Sequence, residues 1–265
     1  MSLLLILFLA TMPSNDYQGI ISEFIPYNAY QFLDLIEDGD IQYARGKYAQ
    51  AESLYQKAYH LSLSKKNYRL AAIALISVGT ALGKQAQHQA ALNKFQDALT
   101  LKQSIYNQDL LSILYYNLAV SYHYLNKIES AINYYNQALA LAPNEIKILI
   151  NRGDAFYDAD SFKLALNDYS HALLLDLNNS LAYQRRANLY EQMQEYANAL
   201  DDYQKAIEHE PENIKLMIKL ADLFLLKDDR LSAQFWYRQA LASPDTLNDS
   251  LKTYLKSQLQ KLSKP

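Results

Sequence analysis

Apolar and polar residues alternate along most of the chain with the spacing of amphipathic helices. The clearest pattern places alanine, an aromatic residue and a second alanine at offsets of 0, 4 and 7. These offsets lie on one face of an α-helix, so the ring is flanked by small side chains and a neighbouring helix can approach it. The copies of this pattern are Ala51-Tyr55-Ala58, Ala91-Phe95-Ala98, Ala131-Tyr135-Ala138, Ala165-Tyr169-Ala172, Ala199-Tyr203-Ala206 and Ala233-Tyr237-Ala240.

The spacing between copies is regular: successive first alanines are separated by 40, 40, 34, 34 and 34 residues. A small residue stands 12 positions before each first alanine, in the order Gly39, Gly79, Ala119, Gly153, Ala187 and Ala221. This residue belongs to a preceding helix, where the small side chain lets two helices cross closely. Each unit is therefore predicted to be a pair of helices.

Turn signals agree with this division into helix pairs. Short polar stretches at residues 44–47, 126–127, 158–160 and 227–229 separate the two helices of a pair, and Pro143 and Pro211 follow second helices at matching places. The first two units are six residues longer, which we interpret as extended second helices through residues 62–68 and 100–107.

Small, aromatic and alanine positions in this order resemble the tetratricopeptide repeat family. The resemblance covers residues 32–247 and implies an all-α, right-handed α-α superhelix, the tetratricopeptide solenoid. The predicted units are residues 32–71, 72–111, 112–145, 146–179, 180–213 and 214–247. Asp38, Arg152 and Arg186 depart from the family at a position that is usually apolar. Residues 248–265 are predicted to include a capping helix, because their apolar residues recur at helical spacing.

Residues 1–31 form a separate N-terminal segment, and residues 3–10 are the most apolar stretch of the chain. This stretch is too short to cross a bilayer as a helix. Three interpretations stay open: an export signal or its remnant, a segment folded against the first unit, or a membrane-surface anchor formed by residues 1–10. Cytoplasmic and exported locations are accordingly both open, as is the oligomeric state.

Composition narrows the classes of function. A net charge of −3 and a pI near 6.0 leave no basic surface for nucleic acid. The absence of cysteine excludes disulfides, thiolate metal sites and a cysteine nucleophile. The sequence also lacks a glycine-rich phosphate loop, a Gly-x-Ser-x-Gly turn and a His-Glu-x-x-His helix. We therefore expect no enzymatic activity, no cofactor and no metal site, and we assign His88 a packing role.

Function is instead expected on the groove lined by the first helix of each pair. Positions two before and one after the small residue recur there, together with a lysine four residues before one of them. The candidate partner-binding residues are Asn117, Lys147, Asn151, Asp154, Arg185, Asn188, Lys219 and Asp222.

The predicted function is a scaffold or adaptor that binds a protein or peptide segment in this groove. Two alternatives stay open: an exported accessory factor of envelope, pilus or secretion assembly, and a peptide-gated regulator. Some members of the family clamp the terminal carboxylate of heat-shock chaperones. Only Asn151 and Arg185 agree with that clamp here, so this particular partner is rejected.

Overall fold

The helices follow from the periodicity of the sequence. A computed structural model describes residues 27–105, 107–243 and 248–263, and within these ranges it contains 13 α-helices, one 3₁₀ turn and no strand. The helices are α1 (Tyr27–Ala44), α2 (Tyr48–Ser64), α3 (Tyr68–Lys84), α4 (His88–Thr100), α5 (Gln108–Tyr124), α6 (Ile128–Leu141), α7 (Ile146–Asp158), α8 (Phe162–Leu175), α9 (Ser180–Gln192), α10 (Tyr196–His209), α11 (Ile214–Leu226), α12 (Arg230–Ala242) and α13 (Asp249–Leu262).

The chain divides into two compact units, Met1–Ile148 and Leu149–Pro265. In the first unit α1 packs on α2, α3 on α4, and α5 on α6; each second helix also contacts the first helix of the next pair. In the second unit α9 packs on α10 and α11 on α12, and α13 packs against α12. This is the predicted arrangement of successive helix pairs.

Each pair is held together by the aromatic residue of its second helix. The marker alanines are fully buried and the marker rings are at most 3% exposed. A Cβ atom added to Gly79 would lie 2.5 Å from Cε1 of Phe95, and one added to Gly153 would lie 2.5 Å from Cε1 of Tyr169. The small residue therefore makes room for the ring of the partner helix, which is the predicted close crossing with its contact identified.

The turns inside the pairs share one backbone feature. The residue five positions before each first marker alanine has a positive φ, between 53° and 74°. These residues are Gly46, Ala86, Asn126, Asp160, Gln194 and Asp228. In this left-handed conformation the next two backbone N–H groups reach carbonyls of the last helical turn, as in the bond from Lys47 N to Gln42 O at 2.9 Å. Only Gly46 adopts this conformation without strain on a Cβ atom.

Replacing Ala86 by glycine is expected to raise the free energy of unfolding by about 0.5–1 kcal/mol. The Cβ atom of Ala86 opposes its φ of 59°, and this relief exceeds the extra entropy that glycine gives the unfolded chain. The matched control is Gly46→Ala at the equivalent turn, which should lower stability by a similar amount. Urea unfolding of both variants measures the effect, and changes of the same sign in the two variants would contradict it.

The two longer units differ from the predicted extension of their second helices. Helix α2 does extend to Ser64, but α4 ends at Thr100 and is followed by a 3₁₀ turn, Lys102–Ser104. The larger change lies in the first helices, because α3 and α5 each have 17 residues whereas α9 and α11 have 13. One more helical turn takes about four residues, so most of the insertion adds a turn to the following helix. The six extra residues were therefore wrongly assigned to second helices alone.

The two ends of the chain were both singled out by their apolar residues. At the C-terminal end, Leu255 of α13 is fully buried, and the Gln234 side chain on α12 donates to the carbonyl of Leu262 at 2.9 Å. The N-terminal apolar stretch, with its interpretations as signal, packed segment or anchor, lies outside the described residues. Within the part of the chain that the structure describes, no helix is long and apolar enough to span a membrane.

Candidate partner-binding surface

Three first helices of the second unit carry most of the predicted binding residues. Asn151 and Asp154 lie on α7, Arg185 and Asn188 on α9, and Lys219 and Asp222 on α11. Within each pair the two residues are three or four positions apart and so share one face of their helix. We call these six residues, with Glu191 of α9, the ladder face.

Ion pairs join the ladder face from one first helix to the next. Arg185 Nε lies 3.1 Å from Asp154 Oδ2, and Lys219 Nζ lies 3.0 Å from Glu191 Oε2. The arginine and lysine side chains are 43% and 47% exposed, and their carboxylate partners about a quarter exposed. The structure thus places cations and carboxylates from successive helices side by side within reach of solvent. Glu191 was missed, although it lies one helical turn after Asn188.

Acceptors of the ladder face also anchor the core. The Tyr169 hydroxyl donates to Asp154 Oδ1 at 2.8 Å, and the Tyr237 hydroxyl donates to Asp222 Oδ1. The Tyr203 hydroxyl lies 2.6 Å from Asn188 Oδ1 and 2.5 Å from Glu191 Oε2. Burial raises the pKa of each of these three tyrosines, as do the neighbouring carboxylates, so the hydroxyls stay protonated as donors.

This tyrosine bond has a signal in the sequence that our prediction did not use. An Asp or Asn stands 15 residues before Tyr55, Tyr169, Tyr203 and Tyr237, and Tyr55 accordingly donates to Asp40 at 2.6 Å. Where the ring is Phe95 and has no hydroxyl, the equivalent residue is Thr80. Acceptors on the ladder face therefore have a structural role, whatever else they bind.

Two buried ion pairs explain departures from the family pattern. Arg152 donates through Nε and Nη2 to both carboxylate oxygens of Asp168, each at 2.7 Å. Arg186 makes the same two-bond contact with Asp202, at 2.7 and 2.8 Å. The Asp168 and Asp202 residues are 5% and 2% exposed. The bonds to Asp202 raise the pKa of the Arg186 guanidinium, so this side chain keeps its charge.

The remaining two predicted residues lie in the first unit. Lys147 at the start of α7 places its Nζ 4.9 Å from the ring centre of Tyr116, within range of a cation–π contact. Burial raises the pKa of Tyr116. Asn117 is half-buried on α5, adjacent in sequence to Tyr116. These two residues and the six on the second unit's first helices are therefore described separately.

Chemistry of other kinds finds little support in the side-chain arrangement. Among the described residues, no group of three or more His, Asp or Glu side chains could hold a metal ion. The His88 ring is stacked on Tyr124, with ring centres 4.2 Å apart and planes 4° from parallel. This contact is the packing role that the sequence predicted for His88.

Comparison with known proteins adds independent information on the family. Two family models, each described as tetratricopeptide repeat, match residues 71–144 and 180–213. No curated protein sequence matches the chain.

Several solved structures share the fold at low sequence identity. Pseudomonas aeruginosa pilF superposes with a TM-score of 0.69 at 16% identity, covering 88% of this chain and 99% of that chain. A tetratricopeptide repeat protein from Parabacteroides merdae gives 0.59 at 19% identity, covering 89% and 100%. YrrB, described as having an unusual peptide-binding site, gives 0.56 at 18% identity, covering 76% and 98%. Together with the repeated residue pattern and the family models, these folds identify the chain as a member of the tetratricopeptide repeat family with its all-α solenoid fold.

Proposed function

We propose that this chain is a protein-interaction scaffold that binds an extended segment of a partner protein on its ladder face. Tetratricopeptide repeats serve in general as scaffolds for protein interactions, which supports the class of function. The observation that carries the location is the row of half-exposed ion pairs joining α7, α9 and α11. These pairs concentrate hydrogen-bonding groups on one face, where a partner can reach them.

The chemistry of this face favours a peptide over a simple anion. An extended peptide offers N–H donors and carbonyl acceptors in alternation, and the ladder face offers both carboxylates and cations or amides. Because Arg185 and Lys219 already have carboxylate partners, a purely anionic ligand would have to compete with Asp154 and Glu191. A segment with donors as well as acceptors can bond to both members of each pair.

The energetic requirement for such binding is modest. A net contribution of about 0.5–1.5 kcal/mol per hydrogen bond means that several bonds together with apolar contacts reach micromolar affinity, or about −8 kcal/mol. The existing ion pairs also hold the arginine and lysine side chains in place. Less side-chain entropy is then lost when the partner binds.

We expect the double change Asn151→Ala/Arg185→Ala to weaken partner binding about tenfold or more, through the loss of a donor on each of two helices. The partner is first captured from the native host with the wild-type chain and identified by mass spectrometry, and its binding segment is then titrated by calorimetry. Circular dichroism checks that the variant remains folded.

The matched control is Lys163→Ala/Asn167→Ala on the exposed face of α8, which removes the same kinds of side chain outside the ladder face. This control should bind as the wild type does. If the ladder variant is folded and its affinity is unchanged, the partner sits elsewhere and the proposed site is wrong.

A further inference from the structure

Helix α3 is buried on all sides, which is unusual for a first helix of this protein. Residues 70–79 are ten consecutive buried positions, almost three helical turns, so no face of this stretch is open to solvent. Helices α2 and α4 pack against α3, and α1 and α5 lie along its flanks. The face of α3 that carries Ile73 and Ser77 is buried as well, at 7% and 3% exposure.

The equivalent face is open in the second unit. Counted from the small marker residue, Ile73 corresponds to Leu181 and Lys215, which are both exposed. Ser77 corresponds to Arg185 and Lys219, whose side chains are 43% and 47% exposed. One and the same position is therefore covered on α3 and accessible on α9 and α11.

The chemistry of this face also differs between the two units. The residues equivalent to Ile73 on the neighbouring helices are Leu33 of α1 and Ile113 of α5, and both pack against the apolar core of the first unit. These three residues form what we call the apolar strip. Ser77 lies one turn away, and no described residue is a hydrogen-bond partner of its buried Oγ atom. A buried hydroxyl of this kind is suited to bond the backbone of a segment lying on the strip.

We propose that residues 3–10 of this same chain dock on the apolar strip and cover Ile73 and Ser77. This stretch, Leu-Leu-Leu-Ile-Leu-Phe-Leu-Ala, matches the strip in apolar character. The connection through residues 11–26 can span up to roughly 50 Å when extended, which is longer than α1 itself. The strip is thus occupied from within the chain, and the ladder face of the second unit remains accessible to a partner. The inference does not depend on the proposed function.

Thiol labelling tests this docking directly, because the natural sequence has no cysteine. Ser77→Cys and, as a control at an exposed position, Lys215→Cys are each introduced into the full chain, whose intact N-terminus is verified by mass. A membrane-impermeant maleimide should modify Cys at position 77 at least about tenfold more slowly than Cys at position 215. Adding Leu5→Asp/Leu7→Asp, which places charges in the docking segment, should abolish most of this protection and leave position 215 unchanged.

Proximity is measured separately in a chain with an unaltered apolar stretch apart from one position. A short bis-maleimide should join Leu7→Cys to Ser77→Cys within one molecule, and should not join Leu7→Cys to Lys215→Cys. Rapid labelling at position 77 in the intact chain would overturn the proposal. So would protection that persists in the aspartate variant without a cross-link from position 7, because α1 and α5 alone would then be covering the strip.

Discussion

Replacing Tyr169 by alanine is expected to lower the free energy of unfolding by about 3–5 kcal/mol. The ring is 1% exposed and fills the space left by Gly153, so its removal leaves a cavity that the helix backbones cannot readily close. The hydroxyl bond to Asp154 is lost at the same time. Urea unfolding followed by circular dichroism measures the change.

Tyr169→Phe separates the two contributions of this residue. The phenylalanine ring fills the same space and lacks only the hydroxyl, so we expect a loss of about 1 kcal/mol. The chain itself supplies the precedent, because Phe95 occupies the equivalent place between α3 and α4. Unfolding of Tyr169→Ala at the wild-type urea midpoint would show that this ring does not hold the α7–α8 pair together.

The second large effect is expected at the buried pair of Arg186 and Asp202. Asp202→Ala should cost about 3–5 kcal/mol, because the guanidinium stays charged and half-buried without its two carboxylate bonds. Burial raises the pKa of Asp202 while the hydrogen bonds from Arg186 oppose that rise, so each group depends on the other to remain ionised. Thermal and urea unfolding of the single variant measure this loss.

Removing both charges together should be far less harmful than removing one. We expect Arg186→Met/Asp202→Leu to regain most of the stability lost in Asp202→Ala, because apolar residues of similar size often replace a buried pair at little cost. The same two positions carry Leu220 with Trp236 elsewhere in this chain.

A surface ion pair provides the comparison for this experiment. Lys205 lies 3.0 Å from Glu208 in an exposed position, and Lys205→Ala should change stability by no more than about 0.5 kcal/mol. A double variant that is no more stable than Asp202→Ala would contradict our account of the buried pair. It would then be holding the helices together by geometry that apolar packing cannot replace.

The site was predicted less completely than the fold. Positions two before and one after the small residue do lie on one helix face, since that depends only on the helical period. That these residues bind a partner stays a prediction. The sequence analysis missed that Asp154, Asn188 and Asp222 serve the marker tyrosines, because this contact joins residues 15 positions apart on different helices. Its signal was present in the loss of both groups at Thr80 and Phe95.

The sequence by itself determined the helices, the phase of their buried faces and the family, because each depends on spacing within one helix or on a repeat period. Only the tertiary structure decided which helix received the extra turn of the long units, and which partner made Arg152 and Arg186 tolerable inside. It alone also revealed that the inner face of α3 is covered where those of α9 and α11 are open. The physical reason is common to all three: each depends on the distance between helices, and helical periodicity carries no information about that distance.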